Sequence, residues 1–171
     1  TMRLIAEERR NNSLPLLLSA PLSIVQIVIG KYLGTLSFFI VLVILISLMP
    51  LSLSLGADLD YGVIAAGLLG LVLLVASFTA IGLFISSLTA QPTIAAISTF
   101  AFLFLLWIID WTSNTPMAAE TSNIFNWLSL LRHYEPLLQG EVNSSDVVYY
   151  LIVIVAFLAL TIRRLDAERL N

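Results

Sequence analysis

One histidine and two carboxylates are the side chains best suited to acid–base chemistry in this chain. His133 and Glu135 stand two residues apart, and Asp110 lies near two tryptophans. An enzyme that used them would need all three within hydrogen-bond reach of a shared substrate. Residues two apart on a helix face different directions, which disfavours such a site. Since the chain has no cysteine and no second histidine, we predict no catalytic residue, no metal and no cofactor.

Nucleotide-binding motifs are also missing. Gly30 and Lys31 lack the earlier glycine and the following hydroxyl residue of a Walker phosphate loop, having Val25 and Tyr32 there. Neither the H-E-x-x-H zinc pattern nor the G-x-S-x-G nucleophile turn occurs. Energy for work across a membrane must therefore come from another polypeptide or domain.

The composition is that of an integral membrane protein. Hydrophobic residues make up 59% of the 171 residues and charged residues 11%, whereas soluble domains carry roughly a quarter charged residues. A formal net charge of -3 offers no basic face, so nucleic acid is not an expected partner. The chain starts at Thr1 without a signal-peptide pattern, and we expect it to begin inside a longer protein.

Four apolar stretches reach the length of a transmembrane helix, about 20 residues. We predict an all-α, polytopic membrane helical bundle forming a single domain with spans over residues 24–55, 63–88, 93–111 and 147–162. The second and third spans should form a tight hairpin with Pro92 starting the second arm. All basic residues except Arg132 lie near the two chain ends, so residues 1–23 and 163–171 are predicted to be cytoplasmic and the 113–146 loop external.

A polar passage in front of the first span gathers acids, bases and leucines. Its charged members are Glu7, Glu8, Arg9 and Arg10, and its helical members, after the capping residue Ser13, are Leu14, Leu16, Leu17 and Leu18. Both signs of charge beside an apolar helix suit docking to a cytoplasmic protein. An amphipathic loop held against anionic lipid head groups explains the same residues.

The external loop is long for a simple connection. Apolar residues recur in it at helical spacing from Ile124 to Leu138, and Gly140 is suited to end a helix. We predict amphipathic helices at or inside the outer leaflet, either as an external gate over a transport path or as a shield for the bundle. The candidate gate residues are Trp127, His133, Tyr134 and Glu135.

Two further patterns lie inside the spans. Ala66 and Gly70 are four apart, as are Ala76 and Ala80, a spacing that lets helices approach closely within one subunit or between subunits. Hydroxyl side chains of the third span would line a polar path, or bond back to the carbonyl one turn earlier. The candidate path residues are Thr93, Ser98 and Thr99.

Several longer runs form a joint pattern. They are Met2–Arg10, Ser13–Leu14 with Leu16–Ser23, Gly30–Gly34, Gly82–Thr89, and the set Leu128, Ser129, His133, Tyr134, Gly140, Asp146, Tyr149 and Tyr150. The pattern resembles the permease subunits of type-2 ABC exporters. It is most similar to the subgroup that contains the gliding-motility-associated permease and the permease accessory to nitrous oxide reductase.

The resemblance implies a function and partners. A six-span permease is expected, with this chain holding spans three to six in a prokaryotic plasma membrane. The passage from Glu7 to Leu18 would hold the coupling helix that seats in an ABC ATPase subunit, and the external loop would be a re-entrant gate. A second permease copy and membrane lipid are the other implied partners. A membrane scaffold without translocation is the alternative.

Overall fold

A computed structural model describes residues 23–53, 60–113 and 129–169. This part of the chain forms five helices: α1 (Ile24–Leu53), α2 (Tyr61–Leu88), α3 (Pro92–Ser113), α4 (Glu135–Leu138) and α5 (Ser144–Arg169). The helical fold class is as predicted. The largest difference in bounds is at α5, which extends beyond the predicted 147–162 span at both ends because its polar flanks are helical too.

Among the described residues, three helices are long and apolar enough to cross a membrane. The stretches are Ile24–Pro50, Tyr61–Leu88 and Ser144–Ala167, while the apolar part of α3, Pro92–Ile108, is shorter. Large apolar side chains such as Phe38, Ile97 and Val155 are exposed on α1, α3 and α5. Surfaces of this kind suit contact with lipid hydrocarbon. The protein is therefore an integral membrane protein, and a fourth span at α3 stays a prediction.

Local hydrogen bonds fix where the helices begin. Ser23 and Gln26 form a reciprocal capping box: the Gln26 amide donates to Ser23 Oγ at 3.2 Å and the Ser23 amide to Gln26 Oε1 at 3.0 Å. The Asp60 carboxylate accepts from the Gly62 amide at 2.9 Å and caps α2. Because only three residues separate Leu88 from Pro92, α2 and α3 pack as a hairpin, as predicted.

Helix α2 is the centre of the bundle. It packs against each of the other four helices. In the 18-residue apolar stretch of each span, 56% of α2 is buried, compared with 11% for α1 and 17% for α5. Small residues make this possible because their backbone can be approached from several sides. Ala66, Ala76 and Ala80 are all buried. The bundle thus depends on small side chains at the surface of one helix.

The two predicted small-residue pairs pack within the subunit. Ala76 and Ala80 lie in a buried cluster shared by three helices, whose other members are Ile24, Val28, Tyr32, Leu83, Ile154 and Leu165. The Tyr32 hydroxyl donates to the Ala76 carbonyl oxygen at 3.3 Å, which joins α1 to α2 by a polar contact as well. Helix–helix packing inside the chain therefore accounts for this spacing.

Replacing Ala80 by leucine should destabilise the bundle. Ala80 is fully buried in the cluster, so three added carbon atoms would force α1 or α5 away from α2. We expect Ala80→Leu to lower the free energy of unfolding by about 1–3 kcal/mol, as overpacked cores do. Thermal unfolding of the full-length protein in detergent measures the effect.

The matched control is Ala65→Leu, the same substitution at an exposed position of the same helix. It should leave the unfolding temperature nearly unchanged. Equal effects of the two substitutions would contradict the central position of α2.

Candidate functional site

The described candidate gate residues lie between α3 and α5. We call residues 129–143 the connecting segment. The predicted docking residues, from Glu7 to Leu18, lie outside the described residues, as does Trp127. Asp110 is in α3, but its side chain is also outside the described part. His133, Tyr134 and Glu135 lie within the connecting segment, which is therefore the candidate site.

The connecting segment runs lengthwise along α2. A Cβ at Gly140 would meet Val63, one at Gly67 would meet Leu138, and one at Gly70 would meet both Tyr134 and Leu137. The step from Val63 to Gly70 is about 10 Å along a helix. Farther along, Leu130 shares a buried cluster with Leu74 of α2, which extends the contact to about 16 Å. Helix α2 has 28 residues, so the segment reaches near the middle of this helix.

The closest approach is at Gly70. A Cβ built there would lie 3.0 Å from Leu137 Cβ and 3.0 Å from both Cδ2 and Cε2 of Tyr134, closer than carbon atoms normally pack. At Gly67 the nearest atom, Leu138 Cδ2, would be at 3.9 Å, an ordinary contact. The absence of a side chain at Gly70 is thus what lets the connecting segment lie against the α2 backbone.

Local sequence determines where α4 begins and ends. Pro136 stands in the first turn of α4, where no amide donor is needed. Gly140 follows the helix with a φ of 88°, a left-handed conformation that favours glycine, and its amide donates to the Leu137 carbonyl at 3.2 Å. The predicted helix end at Gly140 is confirmed. The described helix is short, however, since residues 131–134 form turns.

Helix α5 contacts the beginning of the connecting segment at Leu130. The Tyr150 hydroxyl, which is fully buried, donates to the Leu130 carbonyl oxygen at 2.6 Å. Leu130, Leu137 and Tyr150 share one buried cluster with Leu74 of α2. A backbone carbonyl at membrane depth needs such a donor because hydrocarbon offers none. The Tyr150 hydroxyl therefore satisfies the Leu130 carbonyl and also holds Leu130 in position.

His133 connects the middle of the segment to the first turns of α5. Its ring stacks on Tyr149 with the centroids 4.1 Å apart and the planes within 6° of parallel. Nδ1 lies 2.9 Å from the Ser129 carbonyl oxygen, and Nε2 lies 4.0 Å from Oδ1 of Asp146. The histidine thus contacts a ring, a carbonyl and a carboxylate at once. Glu135, two residues on, is exposed.

The electrostatic surroundings of His133 are simple. Tyr134 is next to it in the chain, and its hydroxyl is neutral near pH 7, as tyrosine ordinarily is. Helix α2 carries no charged residue between Tyr61 and Leu88. Asp146 is thus the carboxylate that faces the imidazole. Among the described residues, no group of three or more histidine and carboxylate side chains could hold a metal ion.

Two apolar cavities lie between α3 and the beginning of the connecting segment, at Leu130 and Leu131. One, of about 320 Å³, lies between Phe78 and the Phe100–Trp107 stretch of α3. The other, of about 280 Å³, lies beside Phe102 and Phe157. Leu106 and Leu130 line both cavities. The surroundings of Leu130 are therefore aromatic and aliphatic.

The hydroxyl residues proposed for a polar path do not converge on one surface. Thr93 is exposed near the start of α3, Ser98 is half-buried, and Thr99 is buried and donates to the Ala95 carbonyl at 2.7 Å. In α2, Ser77, Thr79 and Ser87 likewise donate to carbonyls three or four residues earlier in their own helix. Bonding within the helix is what the structure shows for Thr99 and for the three α2 hydroxyls, and the path lining stays a prediction.

Sequence reasoning missed the partners of His133 and Tyr134. Asp146, Tyr149 and Tyr150 belong to the family pattern, which says nothing about their contacts. Their joint presence with His133 in that pattern was the one available signal. Contacts between separate elements do not follow from the spacing of residues along the chain.

Replacing Gly70 by alanine should loosen the connecting segment. The added Cβ would press on Tyr134 and Leu137, and we expect Gly70→Ala to lower the free energy of unfolding by about 1–3 kcal/mol. Gly67→Ala is the matched control, because it adds the same atom to the same helix at an ordinary contact distance of 3.9 Å. It should leave the free energy of unfolding unchanged or raise it slightly. Thermal unfolding compares them, and a loss for Gly67→Ala alone would contradict the packing described.

Comparison with known proteins agrees with this architecture. Residues 1–170 match the family model described as ABC-2 family transporter protein. Neither the curated proteins nor the solved structures gave a match. The family match covers nearly the whole chain, including the connecting segment and all five described helices. The chain therefore belongs to the ABC-2 family of transporter proteins and is a membrane permease component of an ABC transporter.

Proposed function

We propose that this chain is the membrane-spanning part of an ABC exporter that forms the translocation path and takes its energy from a separate ATPase subunit. The family match over residues 1–170 is the observation that carries the proposal, since ABC-2 membrane components work with an ABC ATPase. The bundle of long apolar helices supports it. The missing Walker loop agrees with ATP being bound elsewhere.

The proposed topology has four spans in this chain, with α3 as the fourth candidate. Arg163 and Arg164 are exposed in the last turns of α5, and the positive-inside rule assigns that end to the cytoplasm. By this rule the connecting segment lies on the outer side of a prokaryotic plasma membrane. A second copy of the permease, or a related one, completes the path, and lipid surrounds the apolar faces of α1, α3 and α5.

Coupling to the ATPase is assigned to the passage before α1. Glu7, Glu8, Arg9 and Arg10 would pair with charges of the ATPase, and the leucines after Ser13 would fill an apolar groove in it. Closing of the ATPase dimer would then move this passage, and α1 behind it, as a lever. The bundle would change between inward-facing and outward-facing states.

The connecting segment is proposed as the external gate. The contacts of the segment support this proposal. It contacts α2 through Tyr134 and Leu137, and α5 through Leu130 and His133. A segment held by two helices moves when those helices tilt. His133, Tyr134 and Glu135 belong to the gate in this proposal, as does Trp127, and Thr93, Ser98 and Thr99 are the proposed lining of α3.

Affinity purification in mild detergent tests the function. The full-length protein should recover a P-loop ATPase, identified by mass spectrometry. Leu16→Asp/Leu17→Asp should abolish that recovery because two charges replace the apolar contact. Asn11→Asp/Asn12→Asp is the matched control, since it adds the same charges to the same passage outside the leucines, and it should retain the ATPase.

Three results would contradict the proposal in different ways. Absence of an ATPase from well-folded wild-type protein would favour a scaffold that does not transport. Recovery with the leucine variant would place the docking site elsewhere. Loss with both variants would assign recognition to charge rather than to the leucines.

A further inference from the structure

The contacts of His133 determine which ring nitrogen carries the proton. A carbonyl oxygen only accepts hydrogen bonds, so at 2.9 Å from the Ser129 carbonyl Nδ1 must be the donor. In the neutral ring Nε2 then has a lone pair and no hydrogen. That lone pair lies 4.0 Å from Oδ1 of Asp146, which offers lone pairs too. The neutral histidine therefore gains nothing from its carboxylate neighbour.

A second proton on the ring changes both contacts on the α5 side. Nε2–H then points a donor and a positive charge toward Asp146, whose carboxylate also lies in the favourable field of the first turn of α5. The positive ring also lies flat on Tyr149, where a cation is attracted to the aromatic face. Nδ1 keeps its bond to Ser129. Each change strengthens the attachment of the connecting segment to α5.

We propose that His133 is a proton-operated latch between the connecting segment and α5. When Nε2 takes a proton from water, the segment is fastened to Asp146 and Tyr149; when the proton returns to water, the fastening at Asp146 is lost. Asp146 is only 8% exposed, so solvent screens its charge weakly. Its use as a pH-controlled gate rests on the proposed function, while the latch itself requires no ATPase.

Other titratable groups near His133 are few among the described residues. On its own segment they are Arg132, Tyr134, Glu135 and Glu141, of which all but Tyr134 are exposed. On α5 they are Asp146, the stacked Tyr149 and the buried Tyr150. Helix α2 has no charged residue, and its tyrosine, Tyr61, is exposed at the first position of the helix. The pair His133–Asp146 is thus the element expected to respond to acid.

Spin-label mobility on the full-length protein tests the latch. Gln139, exposed at the end of α4, is changed to cysteine in a cysteine-free background and labelled with a nitroxide before reconstitution into nanodiscs. Spectra are compared at about pH 5.5 and about pH 8, which bracket the range where histidines change charge. We expect the ratio of immobile to mobile label to rise about three-fold or more in acid, the size of one partly buried ion pair.

Three variants make the result specific. His133→Gln removes the proton site and should abolish the pH response. Asp146→Asn removes the facing charge while keeping the shape, and it should reduce the response to what the stack on Tyr149 supplies. If one of them fails to fold, the other carries the test. Glu141→Gln is the matched control, since it removes an exposed carboxylate of the same segment, and it should respond as the wild type does.

A wild-type label whose mobility ignores pH would overturn the latch. An unchanged response in either His133→Gln or Asp146→Asn would also overturn it. Because the permease is measured alone, failure to recover an ATPase in the purification experiment would leave these outcomes unaffected. The two proposals therefore fail separately.

Discussion

The contact of Tyr134 and Leu137 with the bare backbone of α2 at Gly70 is the constraint on which the arrangement depends. Any side chain at this position would meet three atoms at 3.0 Å, so glycine there is what lets the connecting segment lie this close to α2 without displacement. The same helix packs against α1 and α5 through the buried Ala76 and Ala80, and it also contacts α3. One helix with small residues on several sides thus positions all the others.

Backbone polar groups explain why the connecting segment has its particular form. A chain that enters hydrocarbon must satisfy its amides and carbonyls within the protein. The amides of Tyr134 and Glu135 both donate to the Leu131 carbonyl, and the Leu138 amide donates to Tyr134. The Leu130 carbonyl accepts from the buried hydroxyl of Tyr150. Turns, a short helix and one tyrosine together make an irregular segment compatible with membrane depth.

These attachments give the segment mechanical links to two helices. Packing at Gly70 joins it to α2, while Tyr150, Tyr149 and Asp146 join it to α5. A tilt of either helix must therefore move the segment or break a specific contact. The contacts with α2 are apolar and indifferent to pH, whereas the contact between His133 and Asp146 involves titratable groups. The α5 side is thus where a chemical signal can act.

Hydropathy was sufficient to predict the bundle because long apolar runs dominate the sequence. The start of α1 at Ile24 and the end of α2 at Leu88 agree with the predicted spans, since a capping serine and a short polar turn stand there. The polar extensions of α5 were missed because a hydropathy scan sees apolar residues, not hydrogen bonds. The partners of His133 were missed for a different reason: they belong to another helix, and only the packing on α2 brings them together.

The most direct test of the account is a cross-link between the connecting segment and the middle of α2. Cysteines at Gly70 and Leu137 would have Cβ atoms about as close as a disulfide needs after a small relaxation, given the 3.0 Å separation of the built Cβ and Leu137 Cβ. Mild oxidation of membranes that contain the full-length Gly70→Cys/Leu137→Cys protein should produce an internal disulfide. The control pair Ala65→Cys/Leu137→Cys, with Ala65 exposed, should not. Equal cross-linking of both pairs, or none in the first, would contradict the claim that the segment is seated against α2 at Gly70.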